Sequence, residues 1–158
     1  MAKTDLPILE QRRIEANIIK PIYEEMMARL GKDEAASILK AAITKDSVAQ
    51  GAAYAQNESF EPTLETFHHL LPQWTAGGAL EVDMLVEEDQ KVHYNVTRCK
   101  YAEMYRDMDL ADIGHILSCG RDGTFCTGYN PKITLERTQT IMQGASHCDF
   151  RYQMDGSD

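Results

Sequence analysis

Leu80-Glu81-Val82-Asp83-Met84-Leu85-Val86-Glu87, then a polar Glu88 to Lys91 segment, then Val92-His93-Tyr94-Asn95-Val96 form the stretch on which the fold turns. Leu80, Val82, Met84 and Val86 alternate with Glu81, Asp83, Leu85 and Glu87, and Val92, Tyr94 and Val96 alternate in the second run. A period of two puts one set of side chains on each face of a strand, so the stretch predicts an antiparallel hairpin with one buried face.

Before the hairpin the period is helical. Ile14, Ile18, Ile22, Met26 and Leu30, with Tyr23 and Met27 beside them, give the apolar stripe of a helix from about Leu9 to Leu30. Pro21 predicts a kink or break near Ile19 and Lys20, and Gly31 ends the helix. A second helix is expected from Asp33, a capable N-cap, to about Gln56, with Ala36, Leu39, Ile43 and Ala53 inward and small residues suited to close packing. A third is expected from Glu61 to Leu71, cut by Pro72, before the Gly77-Gly78 turn.

After the hairpin, helical spacing returns from Cys99 to about Met108 and from Ala111 to about Thr127, until Gly128 and Asn130-Pro131 stop it. A second hairpin is expected to pair Lys132 to Ile141 with His147 to Gln153 around Gly144, leaving Asp155 to Asp158 as a frayed tail. The order helices, hairpin, helices, hairpin predicts a single α+β domain over residues 1–158, helical over residues 1–78 and carrying the site in an α+β region over residues 79–153. Its antiparallel sheet is expected to be packed on helices on one face.

A chain of 158 residues is long enough for one core, and 43% hydrophobic with 26% charged residues is a globular composition. A formal charge of −9 with scattered basic residues excludes nucleic acid and anionic membrane surfaces as partners. No stretch approaches the roughly 18 apolar residues of a membrane span, and Met1 to Leu9 lacks the apolar core of a secretory signal, so a cytoplasmic protein is expected. In that setting Cys99, Cys119, Cys126 and Cys148 are expected as free thiols, reactive or metal-bound.

On a helix from Ala111 to Thr127, Asp112, His115, Cys119, Asp122 and Cys126 share one face, where an acceptor near a thiol can activate it as a nucleophile. Cys99 and Glu103 make a second pair one turn apart at a helix start. The same spacings suit buried cysteines acting as small apolar side chains, and both readings stand on spacing alone. Cys99, Cys119, Cys126, His147 and Cys148 are competent zinc ligands, yet the chain has no Cys-x-x-Cys knuckle and no His-Glu-x-x-His helix. His68 and His69 point about 100° apart on a helix and do not easily share an ion. Arg98, Arg121, Arg137 and Arg151 lie near the cysteines in sequence and are able either to clamp a carboxylate or to pair with surface acids. Gly120 and Gly123 match no phosphate loop.

Three blocks carry a family resemblance: Thr97-Arg98-Cys99-Lys100-Tyr101-Ala102-Glu103-Met104-Tyr105, then Ala111-Asp112-Ile113-Gly114-His115-Ile116-Leu117-Ser118-Cys119-Gly120-Arg121-Asp122, and finally Leu135-Glu136-Arg137-Thr138-Gln139-Thr140 followed by Gly144-Ala145-Ser146-His147-Cys148-Asp149-Phe150. Together they resemble the L-2-amino-thiazoline-4-carboxylic acid hydrolases, which open a cyclic isothiourea to N-carbamoyl-L-cysteine. The resemblance implies that Cys99, Cys119, Asp122 and Cys148 matter, with Glu103, Glu136 and His147 beside them. On those positions the chemistry of ring opening assigns Cys119 as nucleophile, Asp122 or His115 as proton shuttle, and Arg121 or Arg137, with Arg98 and His147, as substrate-binding groups. Cys126 falls outside the pattern.

The closing hairpin is also similar to the 4-vinyl reductase ligand-binding domains of bacterial sensors. That likeness implies a divalent metal, zinc or manganese, held by Cys119, Glu136 and Cys148, with water as nucleophile or with no catalysis. Three readings therefore stand open: a hydrolase of a small cyclic isothiourea or amidine, a hydrolase of another heterocycle or amide, and a non-catalytic domain binding a small molecule or zinc. In each the partner is a small molecule, and a homo-oligomer is compatible with all three.

Overall fold

The computed structural model describes residues 5–155; the last three residues of the expected tail lie outside them. The chain opens with two long helices, α1 (Ile8–Leu30) and α2 (Lys32–Gln56), joined at Gly31. Two short helices follow, α3 (Leu64–His68) and α4 (Leu71–Thr75), and then the hairpin of β1 (Leu80–Glu88) and β2 (Lys91–Cys99). Next come α5 (Lys100–Asp107), a π turn at His115–Cys119 that runs directly into α6 (Gly120–Tyr129), β3 (Ile133–Glu136) and β4 (Cys148–Met154).

The strands form one antiparallel sheet in the order β1-β2-β4-β3. Alternation decides the faces of β2 and β4, whereas in β1 register shifts at Glu81/Val82 and Met84/Val86 break it and leave Met84 exposed. Val92, Tyr94 and Val96 of β2 and Cys148, Phe150 and Tyr152 of β4 are buried on the inner face with Ile133. The residues between them, including His93 and Arg151, point to the other face. The α+β class and the helix-covered sheet thus match the expectation.

Several expectations need correction. α1 passes through Pro21 unbroken; Pro21 and Asn17, whose carbonyl loses its helical donor there, are both exposed, so water can satisfy that carbonyl. Its isoleucine stripe is not the buried face: Ile14, Ile18 and Ile22 are 58%, 61% and 52% exposed, while Arg12, Ala16 and Tyr23 face inward. α2 turns Ala35, Leu39, Ile43, Ser47 and Gly51 inward, leaving Ala53 exposed, and its N-cap is Gly31 rather than Asp33. The single third helix is two. Pro72 lies in the first turn of α4, where a missing N–H leaves no helical bond unmade, and a Thr63–Thr66 capping box starts α3. β3 is shorter than the expected Lys132 to Ile141, because the Thr138 and Gln139 amides donate to the Asp149 carboxylate instead of a strand ladder, and a 3-10 turn at Ile141–Gln143 follows.

α2 crosses α6 at very short range. A Cβ on Gly51 would stand 2.1 Å from the Phe125 carbonyl oxygen, and one on Gly128 would stand 2.1 Å from that of Val48. Ser47 Oγ donates to the Arg121 carbonyl at 3.0 Å in the same crossing. This contact fixes α6, and with it Cys119 and Asp122, beneath the sheet. Among the described residues no helix is long and apolar enough to cross a membrane.

Candidate functional site

The inner face of the sheet does not close on the helices. Two adjoining chambers remain, and Arg12, Trp74, Leu80, Arg121, Asp122 and Phe150 line both. Each has a volume of about 60 Å³, on a scale where one water needs roughly 10–15 Å³. The first is walled by aromatic side chains such as Phe67, Tyr94, Phe125 and Tyr152. The second holds Cys99, Cys119 and Cys148 together with Arg137, Tyr101 and Ser118.

Local structure explains how these groups meet. Cys99 ends β2 and caps α5, its Sγ accepting from the Ala102 amide at 3.4 Å. Cys148 opens β4 on the inner face, and its Sγ accepts from the Ile141 amide at 3.2 Å. Cys119 closes the π turn, and residues 111–113 form a turn before it rather than the start of the expected helix. The expected common face therefore divides. Asp112 is exposed and lies 3.6 Å from Lys32 Nζ. His115 lines an open outer cleft of about 520 Å³, separated from the thiol chamber by Cys119 and Arg137, which border both. Cys126 is buried between α6 and β3, donating to the Gly123 carbonyl at 3.0 Å.

Asp122 is the electrostatic centre. Arg137 Nη1 donates to its Oδ2 at 2.6 Å, Arg137 Nη2 donates to the Cys119 carbonyl at 2.8 Å, and the same guanidinium lies 5.0 Å over the Phe150 ring. Burial lifts the Asp122 carboxyl above its ordinary range, against the opposing pull of Arg137, Arg12 and Arg121. Burial, with Asp122 next, also pushes the Cys119 thiol well up; burial raises Cys148 and takes Cys99 to about 11. These surroundings keep the thiols protonated at neutral pH, the opposite of what the expected nucleophilic role of Cys119 requires.

The arginines divide by partner. Arg121 is consumed by structure: Nε donates to the Leu117 carbonyl at 2.9 Å, Nη1 meets Asp46 at 2.9 Å and Nη2 meets Glu15 at 3.5 Å. It ties α1, α2 and α6 together at the border of both chambers. Arg98 is half exposed and donates to Glu103 at 3.0 Å, so this pair stands on the surface outside both chambers. Arg151 binds the Tyr94 and Phe150 carbonyls and Asn95 at about 3.0 Å on the outer face. His147 lies beside Ser146, 2.9 Å from its Oγ, and also outside the chambers.

The metal expected on Cys119, Glu136 and Cys148 does not fit. Glu136 pairs with Arg151 in register, on the opposite face from Cys148, and among the described residues no three His, Cys, Asp or Glu side chains are set to hold an ion. Sequence reasoning missed Arg12, buried with Nη1 held by Glu15 at 2.6 Å and bordering both chambers, because the more apolar α1 stripe drew the wrong face inward. It also missed Trp74 and the aromatic wall, although Tyr94 already stood on the inward set of the hairpin.

Among solved structures, the chain is similar to the crystal structure of the phenol-responsive sensory domain of the transcription activator PoxR with phenol: TM-score 0.54, 14% identity, covering 87% of this chain and 73% of that one. At that identity the likeness is one of fold. No match to a curated protein sequence was found. The family described as L-2-amino-thiazoline-4-carboxylic acid hydrolase matches residues 11–152, most of the chain. The chain therefore belongs to the L-2-amino-thiazoline-4-carboxylic acid hydrolase family.

Proposed function

We propose that the protein is a hydrolase that opens a small cyclic isothiourea, with L-2-amino-thiazoline-4-carboxylate as the type substrate, to N-carbamoyl-L-cysteine. The observation that carries this reading is a buried carboxyl, Asp122, fixed by Arg137 at the junction of two chambers inside a member of this family.

The electrophile is the carbon between ring sulfur and two nitrogens, activated when a ring nitrogen is protonated. Asp122 faces that cation as a carboxylate and takes a proton from a water whose oxygen adds to the carbon. The carbon–sulfur bond then breaks as the added hydroxyl becomes the urea carbonyl and releases its remaining proton to solvent, replacing the one that activated the ring, while the proton on Asp122 passes to the departing sulfur. One water is consumed, and one urea and one thiol are formed. A raised pKa makes the Asp122 carboxylate the stronger base for the first half, and the proton it gains is then held beside the departing sulfur for the second. Arg137 is a positioning residue, and Arg12 supplies the guanidinium for the substrate carboxylate. The protonated thiols line the chamber where the leaving sulfur emerges.

A second reading, a binding module without turnover, is favoured by the aromatic chamber and by the protonated thiols. Incubation with L-2-amino-thiazoline-4-carboxylate, following new free thiol, separates the two: thiol release supports the hydrolase, and binding without release supports the module.

A further inference from the structure

We infer that the cavity takes a substrate larger than the type compound: a carboxylate-bearing five-membered heterocycle that also carries an apolar ring, with that ring seated in the aromatic chamber. This rests on the hydrolase reading for the heterocycle and on geometry for the ring.

The polar groups that the type substrate calls for, Asp122, Arg137 and Arg12, all border the thiol chamber, so the aromatic walls of the other chamber have no part in holding it. Interiors are normally packed with few voids larger than a water, and a void that persists among rigid aromatic side chains is a binding feature more than a packing fault. Its walls are not loose. Trp74 and Phe125 meet edge to face at 5.4 Å, Phe67 and Tyr152 at 5.2 Å, and Tyr94 stacks on Phe150 at 4.9 Å. Such walls offer ring faces and edges, which suit an aromatic or alicyclic group better than water. The charged groups stand at the junction, where Asp122 and Arg12 border both chambers. One ligand with a polar reactive end and an apolar end matches that order; two unrelated ligands would leave the shared wall unexplained.

Trp74 is the only tryptophan and borders both chambers, so its fluorescence reports occupancy of either. The probes are L-2-amino-thiazoline-4-carboxylate and its 5-phenyl and 2-benzylamino derivatives, titrated into the wild-type protein. At least one phenyl derivative is expected to bind on the order of tenfold or more tighter than the parent. In Val92→Phe, which places a phenyl group in the aromatic chamber, the ratio of derivative to parent affinity is expected to fall to about one. Equal or weaker binding of both derivatives in the wild type, including no measurable binding, overturns the inference without use of any variant. Tight binding of a phenyl derivative with no thiol released from any probe sinks the hydrolase reading alone; thiol release from the parent with no gain from phenyl sinks this inference alone.

Discussion

Arg137 and Asp122 are joined by a 2.6 Å hydrogen bond between Nη1 and Oδ2, and the second Nη of the same guanidinium holds the Cys119 carbonyl at 2.8 Å. One side chain following β3 thus fixes both the carboxyl and the end of the π turn. Arg137 works to lower the Asp122 pKa, which burial raises. Arg137→Met removes that opposing pull, so the Asp122 base form is lost at higher pH. The acid limb of the kcat/KM profile is expected to move up in pH, and kcat to fall by about 100-fold. A pH–rate series on both proteins measures this; an unmoved limb would separate Arg137 from the titration of Asp122.

The cavity thiols are expected to resist alkylation. Burial holds Cys99 near 11 and Cys119 higher still, so only a small thiolate fraction exists at pH 7.5, and it grows about tenfold for each pH unit below the pKa. Mass-spectrometric timing of iodoacetamide labelling from pH 7 to 10 checks this. Fast labelling of Cys119 at pH 7 would restore the thiolate route.

Arg12 borders both chambers and is anchored through Glu15. Arg12→Met is expected to raise KM by about 10- to 100-fold, the loss of one charge-assisted hydrogen bond of roughly 1.5–3 kcal/mol. A smaller change in kcat would mark binding rather than chemistry. Steady-state kinetics on the type substrate reads the split.

The α2–α6 crossing tolerates no side chain at its two glycines. Gly51→Ala and Gly128→Ala force a methyl against backbone and are expected to destabilise by about 1–3 kcal/mol or more. Gly123→Ala, on the same helix with nothing within 4 Å of the added Cβ, is expected to be neutral or to stabilise by about 0.5–1 kcal/mol. Denaturant titrations of the three variants give the comparison.

Much of this was legible in the sequence. The period-two alternation around Tyr94 identified the first hairpin and its inner face, and the motif blocks brought Cys99, Cys119, Asp122 and Cys148 into one region. What was hidden has physical causes. The helix begins only after a turn at residues 111–113, which carries Asp112 to another surface, and the π turn that follows changes the spacing rule for His115. On α1, inward packing favours the small Ala16 and the cavity-facing Arg12, while the isoleucine stripe faces out. Glu136, His147, Arg98 and Glu103 adjoin site residues in sequence but fall outside the chambers, because neighbouring residues of a strand or helix point in different directions.

Ring opening driven by Asp122 and ring opening driven by a cysteine thiolate predict opposite outcomes for two variants. Thiol release from L-2-amino-thiazoline-4-carboxylate should be measured for the wild type, Asp122→Asn and Cys119→Ser, each first shown to be folded by its thermal transition. Release is expected from the wild type, with a fall of about 100-fold or more in Asp122→Asn and activity within about tenfold of wild type in Cys119→Ser. Full activity in Asp122→Asn, or its abolition in Cys119→Ser alone, would contradict ring opening driven by Asp122.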